Sequence, residues 1–295
     1  MPTISIVAAS YNYGNYITQT IDSIISQSFS DWELIVVDDG SKDNSVEIIK
    51  SYCQKDSRIK LFQHENGINK GHAKTLELGI KNASGDWIAL IDVDDILKAN
   101  ALKERIEFIQ NEKNVIFLFN DVSIFGEKES VNKASKYLIK TRKKIDNTTG
   151  KLQKLKNGIY ISNDNFFNFF SKINIIPTFS GVMIKRSVFE DIDFNSPLNY
   201  KFDRYLYTQI AIKYGVHFLD KKLTNWRMHG DSQTHTREDP KERLMFDIAI
   251  IKILAQQKLS FWDKIKIARC YLKYIRHTFI RTRGLKITYF MGKKL

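Results

Sequence analysis

From Trp87 to Asp95 the chain reads WIALIDVDD: five consecutive apolar residues run into three carboxylates within four positions. An unbroken apolar run of this length is a strand buried on both faces. The acids at its end repel one another, which is costly unless something positive binds there. Hard carboxylate oxygens suit Mg²⁺ or Mn²⁺, ions that bridge to substrate phosphates. The same acids would also serve as a start signal for a helix over Ala99–Ile109, because carboxylates favour helix N-termini.

Working outward, short apolar runs alternate with amphipathic stretches. Ile4–Ala8, Glu33–Val37 (ELIVV), Ile59–Phe62 and Val115–Phe119 (VIFLF) read as further strands. Ile17, Ile21, Ile24 and Ile25 recur at helical spacing, Ser41–Asn44 supply capping residues for a helix through Tyr52, and a helix is expected from Gly71 to Lys81. Strand and helix in alternation, with strands this apolar, predict an α/β fold: a mostly parallel, Rossmann-like sheet covered by helices on both faces. Phe125–Lys156 is rich in Lys, Ser, Asn and Thr and reads as a flexible excursion over about 125–160. Order resumes at Phe166–Phe170, Val182–Ile184, a helix over Asp203–Lys213 and a short strand at Val216–Leu219, and from Pro240 the pattern is all-helical.

In open α/β sheets ligands sit beyond the carboxyl ends of the strands. The residues that follow the first strand are Ala9, Ser10, Tyr11 and Asn12; those after the second are Asp38, Asp39 and Gly40; those after the fourth are Asp92, Asp94 and Asp95. Acidic clusters at two strand ends of one sheet suggest a metal site that handles an anionic ligand.

The chain has 295 residues, 43% hydrophobic and 27% charged, which fits an ordinary globular protein. Two cysteines, Cys53 and Cys270, make no disulfide framework. Met1–Ser10 shows no basic leader before an apolar run and no stretch suits a spanning helix, which predicts a cytoplasmic protein. The net charge is +13, and residues 256–295, with eleven Lys and Arg against the single acid Asp263, carry +10 of it. The basic character therefore belongs to a C-terminal extension over 236–295. There Phe261, Ile265, Ala268, Leu272, Ile275 and Phe279 fall at steps of four and three, one apolar helical stripe. It could pack on the catalytic body, lie on an anionic membrane at the inner face, or form a dimer seam.

Four segments taken together, SIVAASYN, ELIVVDDGSKDNS, NKGHAKTLELGIKNASGDWIALIDVDD and NWRMHGDS, resemble the family 2 glycosyltransferases with a GT-A fold, of the inverting, bacterial surface-glycan type. The resemblance runs from about Ile4 to Thr234 and is strongest before Asp95. It implies a catalytic domain over 1–235, with a nucleotide-binding half at 1–120 and an acceptor half at 121–235. It implies roles residue by residue. Asp39, with Asp38, would hydrogen-bond the nucleotide base, and the backbone near Ala9 and Tyr11 would line that pocket. Asp92 would sit by the ribose and the metal, and Asp94 would ligate the Mn²⁺ or Mg²⁺ that bridges the diphosphate. Asn69 and Gly71 would open a helix whose free N–H groups face phosphate or base. Lys74, one turn in, would reach a phosphate or stay solvated. Glu77 departs from the family pattern, which favours Asn there. Arg227 would contact the diphosphate, and His229 would be a further metal ligand or a phosphate donor. Asp203 would be the general base that takes the acceptor hydroxyl's proton. Phe202 stands where many relatives carry a Glu before that Asp, and Asp191 and Asp193 are rivals for the role.

The expected activity is transfer of a sugar from a nucleotide-diphosphate sugar, a UDP-sugar first, to a hydroxyl on a glycan or lipid-linked acceptor. A sugar nucleotidyltransferase would need a glycine- and basic-rich loop after the first strand, which SYNYGNY is not. A non-catalytic membrane- or nucleic-acid-binding protein would leave the two acidic strand ends unexplained, so no nucleic-acid partner is expected.

Overall fold

The computed structural model describes residues 1–148, 152–162, 175–195 and 202–230, and beyond them residues 248, 249, 252, 253, 265 and 269. The chain divides into two compact units, Met1–Arg237 and Glu238–Leu295.

The first unit opens β1 (Ile4–Ser10), α1 (Ile17–Ile25), β2 (Trp32–Asp38), α2 (Ser45–Lys55), β3 (Ile59–Gln63), α3 (His72–Lys81), β4 (Trp87–Asp92). The strands β3-β2-β1-β4 lie side by side and all parallel, in that order. Each is almost wholly buried in β1, β2 and β4, as unbroken apolar strands must be. Ile17, Ile21 and Ile24 of α1 are at most 1% exposed and form one stripe in the core that also holds Ile4, Ile6 and Trp32. Each such isoleucine contributes about 1.5–3 kcal/mol on burial. Helix α3 packs so closely on β1 and β2 that a Cβ at Gly79 would lie 2.5 Å from Val7 Cγ1.

The second half follows with β5 (Ile96–Leu97), α4 (Ala101–Asn111), β6 (Phe117–Gly126), α5 (Lys128–Thr148), β7 (Gln153–Leu155), β8 (Gly158–Ile161), β9 (Val182–Lys185), α6 (Phe202–Tyr214) and β10 (Val216–Met228). The sheet continues from β4 as β9-β6-β10-β8-β7, with β5 against β10. Here β9 enters antiparallel between β4 and β6, while β6 and β10 run parallel. Strand β9 carries with it the short turn Phe179–Gly181 that precedes it, and so brings that turn to the end of β4.

The segment read as an excursion, 125–160, is instead the end of β6, the 21-residue helix α5 and the β7–β8 hairpin. The helix is polar on average, which hides it, but Val131, Ala134, Leu138, Thr141 and Ile145 recur at steps of three and four. That face packs on Val122, Trp226 and Met228. Strand β10 runs nine residues past Leu219, through register shifts at Lys222 that break its alternation. The expected strand at Phe166–Phe170 lies outside the described residues. So does the tail stripe apart from Ile265, which is helical. Among the described residues no helix is long and apolar enough to cross a membrane.

Candidate active site

Parallel pairing fixes which residues share an edge. The register sets Ser10 opposite Asp38 and Ala9 opposite Asp92, so the three strand exits open on one side of the sheet. Ala9 is half-buried and Tyr11 exposed there. The first two exits are laced together. Asn12 N–H donates to Ser41 Oγ at 2.9 Å, Lys42 N–H to Asn12 Oδ1 at 2.7 Å, and Gly14 N–H to Asp43 Oδ2 at 2.9 Å.

Asp38 and Asp39 have different surroundings. The Asp38 carboxylate is fully buried and serves its own turn, accepting from Gly40 N–H and Ser41 N–H at 3.1 Å and from the Ser41 hydroxyl. Asp39 reaches across to the start of α3, accepting from Lys70 N–H at 2.7 Å and Gly71 N–H at 3.0 Å. A carboxylate offers about four acceptor directions, so Asp39 keeps capacity for a ligand. Gly40 has φ +83, and a Cβ there would meet the Gly67 carbonyl at 2.5 Å, so only glycine lets these two loops approach.

Asn69 Oδ1 accepts from Gly71 N–H at 3.1 Å, and Gly71 caps α3 with φ +84. Lys74 does not stand alone. Its Nζ lies 2.8 Å from Glu77, which also takes Lys81 at 2.8 Å. The residue that departs from the family pattern thus holds the lysine by a half-exposed ion pair, a contact worth little in stability.

At the β4 exit three carboxylates meet a ledge of polar groups. Asp92 N–H donates to Ser180 Oγ at 2.9 Å. Thr178 Oγ1 lies 2.8 Å from Asp92 Oδ2 and 2.8 Å from Asp95 Oδ2. One hydroxyl proton cannot be donated to two carboxylates at once, so the two buried acids crowd a single donor here. In keeping with this, burial and then the neighbouring Asp94 push Asp92 up to about 7, and burial, Asp94 and Asp92 push Asp95 well above the usual carboxylate range. Thr20 of α1 hydrogen-bonds the Val93 and Asp95 carbonyls at 2.8 Å each, fastening the turn from the other side.

Strand β10 brings Arg227 and His229 to the same place. Arg227 N–H donates to Asp95 Oδ1 at 2.8 Å, its Nε to the Asp94 carbonyl at 2.7 Å, and its Nη2 to Gln19 at 2.6 Å. The guanidinium lies over the rings of Phe125, at 4.4 Å, and Tyr16, at 5.1 Å. The side chain thus braces the Asp94 turn against α1. His229 Nε2 is 3.0 Å from Asp94 Oδ2, and its ring packs 4.8 Å from Tyr16. Among the described residues no group of three or more His, Cys, Asp or Glu side chains is arranged to hold a metal by itself. Asp94 and His229, 3.0 Å apart, are the residues that would hold a cation, and Asp92 shares the Asp94 turn. Such a set fits a hard cation that completes its shell with water and substrate phosphates rather than with protein.

The residue expected as general base lies on α6. Asp203 stands in its first turn, and its charge is among those that raise Asp92 and the buried Tyr207 hydroxyl. The rivals are engaged elsewhere: Asp191, largely exposed, pairs with Lys213 at 2.7 Å, and Asp193 accepts from Asn195 N–H at 2.8 Å and the Tyr205 hydroxyl at 3.1 Å. Of the three, Asp203 is the one whose charge is felt at Asp92.

Thr178, Ser180, Thr20, Tyr13 and Tyr16 were not among the residues expected at the site. Tyr13 is raised by burial first and then by Asp94, Asp92 and Asp95, so it borders the same carboxylates. Only the SYNYGNY turn held a signal, tyrosines after a strand exit; Thr178 and Ser180 lie more than eighty residues from their partners.

The model of the family described as Glycosyl transferase family 2 matches residues 5–192. Glycosyltransferase GlyG of Streptococcus pneumoniae is 27% identical over 236 residues, covering 80% of this chain and 74% of GlyG. Of three further curated glycosyltransferases the chain spans 57%, 19% and 36% of their length. The solved structure of S. aureus TarS 1-349 in complex with UDP-GlcNAc superposes with a TM-score of 0.68 at 18% identity, over 97% of this chain and 77% of that one. The mannosyltransferase PcManGT from Pyrobaculum calidifontis, in complex with GDP-Man and Mn²⁺, superposes with a TM-score of 0.52 at 13% identity, over 97% and 76%. At these identities the two likenesses are of fold alone.

Proposed function

The chain belongs to glycosyl transferase family 2 and has a GT-A fold, and from that premise we propose that it moves a sugar from a UDP-sugar to a hydroxyl of a surface glycan with inversion at the anomeric carbon. The observation that carries the reading is the meeting, at one sheet edge, of the Asp39 loop, the Asp92–Asp95 turn with His229, and Asp203 from α6. Asp39 and the backbone of Ala9 and Tyr11 receive the base, with Asp38 holding their turn. Asn69, Gly71 and the first amides of α3 take phosphate or base oxygens.

The chemistry asked of these residues balances simply. The acceptor oxygen attacks the anomeric carbon while Asp203 takes its proton. The bond from that carbon to the diphosphate oxygen breaks on the opposite face, and its electron pair leaves with the nucleoside diphosphate. When bound, Mn²⁺ or Mg²⁺, held by Asp94 and His229 beside Asp92, supplies Lewis-acid stabilisation of the charge on that leaving group. Arg227 keeps the Asp94 turn in register, and Thr178 and Ser180 orient Asp92. The donor class is supported by the UDP-GlcNAc complex of the TarS fold relative, and a divalent cation by the Mn²⁺ complex of PcManGT. The acceptor class follows the resemblance to the bacterial surface-glycan type. The +10 carried by residues 256–295 suits work at the inner face of an anionic membrane.

A thermal-shift screen of nucleotide sugars with and without Mn²⁺ tests this reading. A donor at about a hundred times its Kd stabilises the folded state by about 2.7 kcal/mol. A UDP-sugar with Mn²⁺ is expected to raise the midpoint, and EDTA to remove part of the gain. If no nucleotide sugar shifts the midpoint, the donor assignment falls.

A further inference from the structure

Arg105 of α4 is 1% exposed, and among the described residues no carboxylate pairs with it. Its Nε donates to Asn120 Oδ1 at 2.9 Å, and its Nη2 to the Ser180 carbonyl at 2.7 Å and to Thr224 Oγ1 at 3.2 Å. Its Nη1 is buried with no hydrogen-bond partner. Burial pushes its pKa down to about 10, the mark of a charge held away from water.

Such a group is a poor device for stability. A buried charge without a counter-ion carries a desolvation penalty that an apolar side chain of similar length would not. The bonds it does make all converge on one place. Ser180 also accepts from Thr224 Oγ1 at 2.9 Å, so its carbonyl is fixed from two sides. From Ser180 the chain of contacts leads directly to the β4 exit: its Oγ takes Asp92 N–H at 2.9 Å, and its own N–H donates at 3.2 Å to Thr178 Oγ1, which contacts Asp92 and Asp95. The turn Phe179–Gly181 is also tied to the β4 exit by a Phe179 backbone bond to Asp92 and a Ser180 side-chain bond to Asp95, so what Arg105 fixes is passed directly to those carboxylates.

We propose that Arg105 is a positioning residue for the donor diphosphate: by fixing the Thr178–Ser180 ledge it sets the orientation of the Asp92 carboxylate and the turn that carries Asp94. The inference rests on the donor reading given above. Its signature is selective. A residue that only supported the fold would, on removal, weaken every part of donor binding alike. A positioning residue at the diphosphate end leaves the base pocket, built from the β1 and β2 exits, as it was.

The test uses uridine and UDP as probes in calorimetric titrations of the whole chain with Mn²⁺ present, for wild type, Arg105→Met, Arg105→Lys and Thr178→Val. For Arg105→Met the expected result is a Kd for UDP weaker by about 10–100-fold, the usual effect of removing a group that orients a metal-site ligand, and a much smaller loss for uridine, which meets Asp92 only through its ribose. Arg105→Lys, which keeps the charge and one donor, recovers part of that loss. Thr178→Val cuts the ledge at its other end and gives the same split; it and the lysine variant decide the matter if Arg105→Met does not fold. Equal effects on uridine and UDP, or none on either, overturn the inference while leaving the donor reading intact. A wild-type chain that binds neither probe overturns the donor reading, and this inference with it.

Discussion

Glu33 is the second residue of β2 and only 4% exposed, yet it is a carboxylate. It accepts from Ser5 Oγ at 2.6 Å, from Ser84 N–H at 2.8 Å and Oγ at 2.7 Å, and from Lys60 Nζ at 2.8 Å, so it ties three strands and the turn before β4. Burial alone would raise its pKa, but the lysine and these donors together bring it down to about 2. A depressed folded pKa stabilises the fold above the unfolded value of about 4.5, and the gain is lost as pH falls toward 2. Glu33→Gln should therefore cost on the order of 2 kcal/mol at pH 7, a figure reduced for solvent around the half-exposed Lys60. The gap between the two proteins should close as pH drops from 4.5. Denaturant unfolding at pH 7 and pH 3 measures it; a gap that stays constant would refute the assignment. Residues of this kind were hard to read in the sequence. Glu33 opens ELIVV and looks like the polar border of a strand, while its partners stand 27 to 51 positions away. By contrast VVDDGS and DVDD announce themselves, because carboxylates grouped at a strand exit are adjacent in sequence as well as in space.

Elements show the same division between near and far. Helix α1 was legible from its isoleucine spacing, but its use as a clamp was not. Thr20, 2% exposed, is the one polar group of that helix that holds the Val93–Asp95 turn. Thr20→Val keeps the shape and leaves both carbonyls buried without this partner, a loss of about 1–3 kcal/mol. The unfolding midpoint should fall accordingly, and donor affinity with it, since the turn carries Asp94. Unchanged stability would mean that α1 is held by its apolar stripe alone. Helix α5 was missed because lysine, serine and asparagine dominate its average, and only one face meets the core. Strand β10 shows only its beginning for a different reason: Val216–Leu219 are all buried, and the polar stretch Asp220–Lys222 with its register shifts interrupts the pattern before the site residues are reached. The β7–β8 hairpin is too short to declare itself without its partner β10.

At the scale of the molecule, the parallel half of the sheet could be written down from the order of strands and helices, since right-handed crossovers leave few arrangements. The insertion of β9 between β4 and β6 could not, because its residues stand 94–98 positions from their partners in β4 and 63–67 from those in β6, and with it came the ledge that contacts Asp92. What the whole arrangement adds is that the charge of Asp203, in the first turn of α6, reaches Asp92 at the end of β4. The central claim is that Asp203 takes the acceptor's proton in an otherwise complete donor site. The direct measurement is the turnover of Asp203→Asn at saturating donor, alongside its affinity for the same donor. Unaltered donor affinity with kcat lower by about 10²–10⁴-fold is expected; normal turnover in that variant would contradict the base role of Asp203.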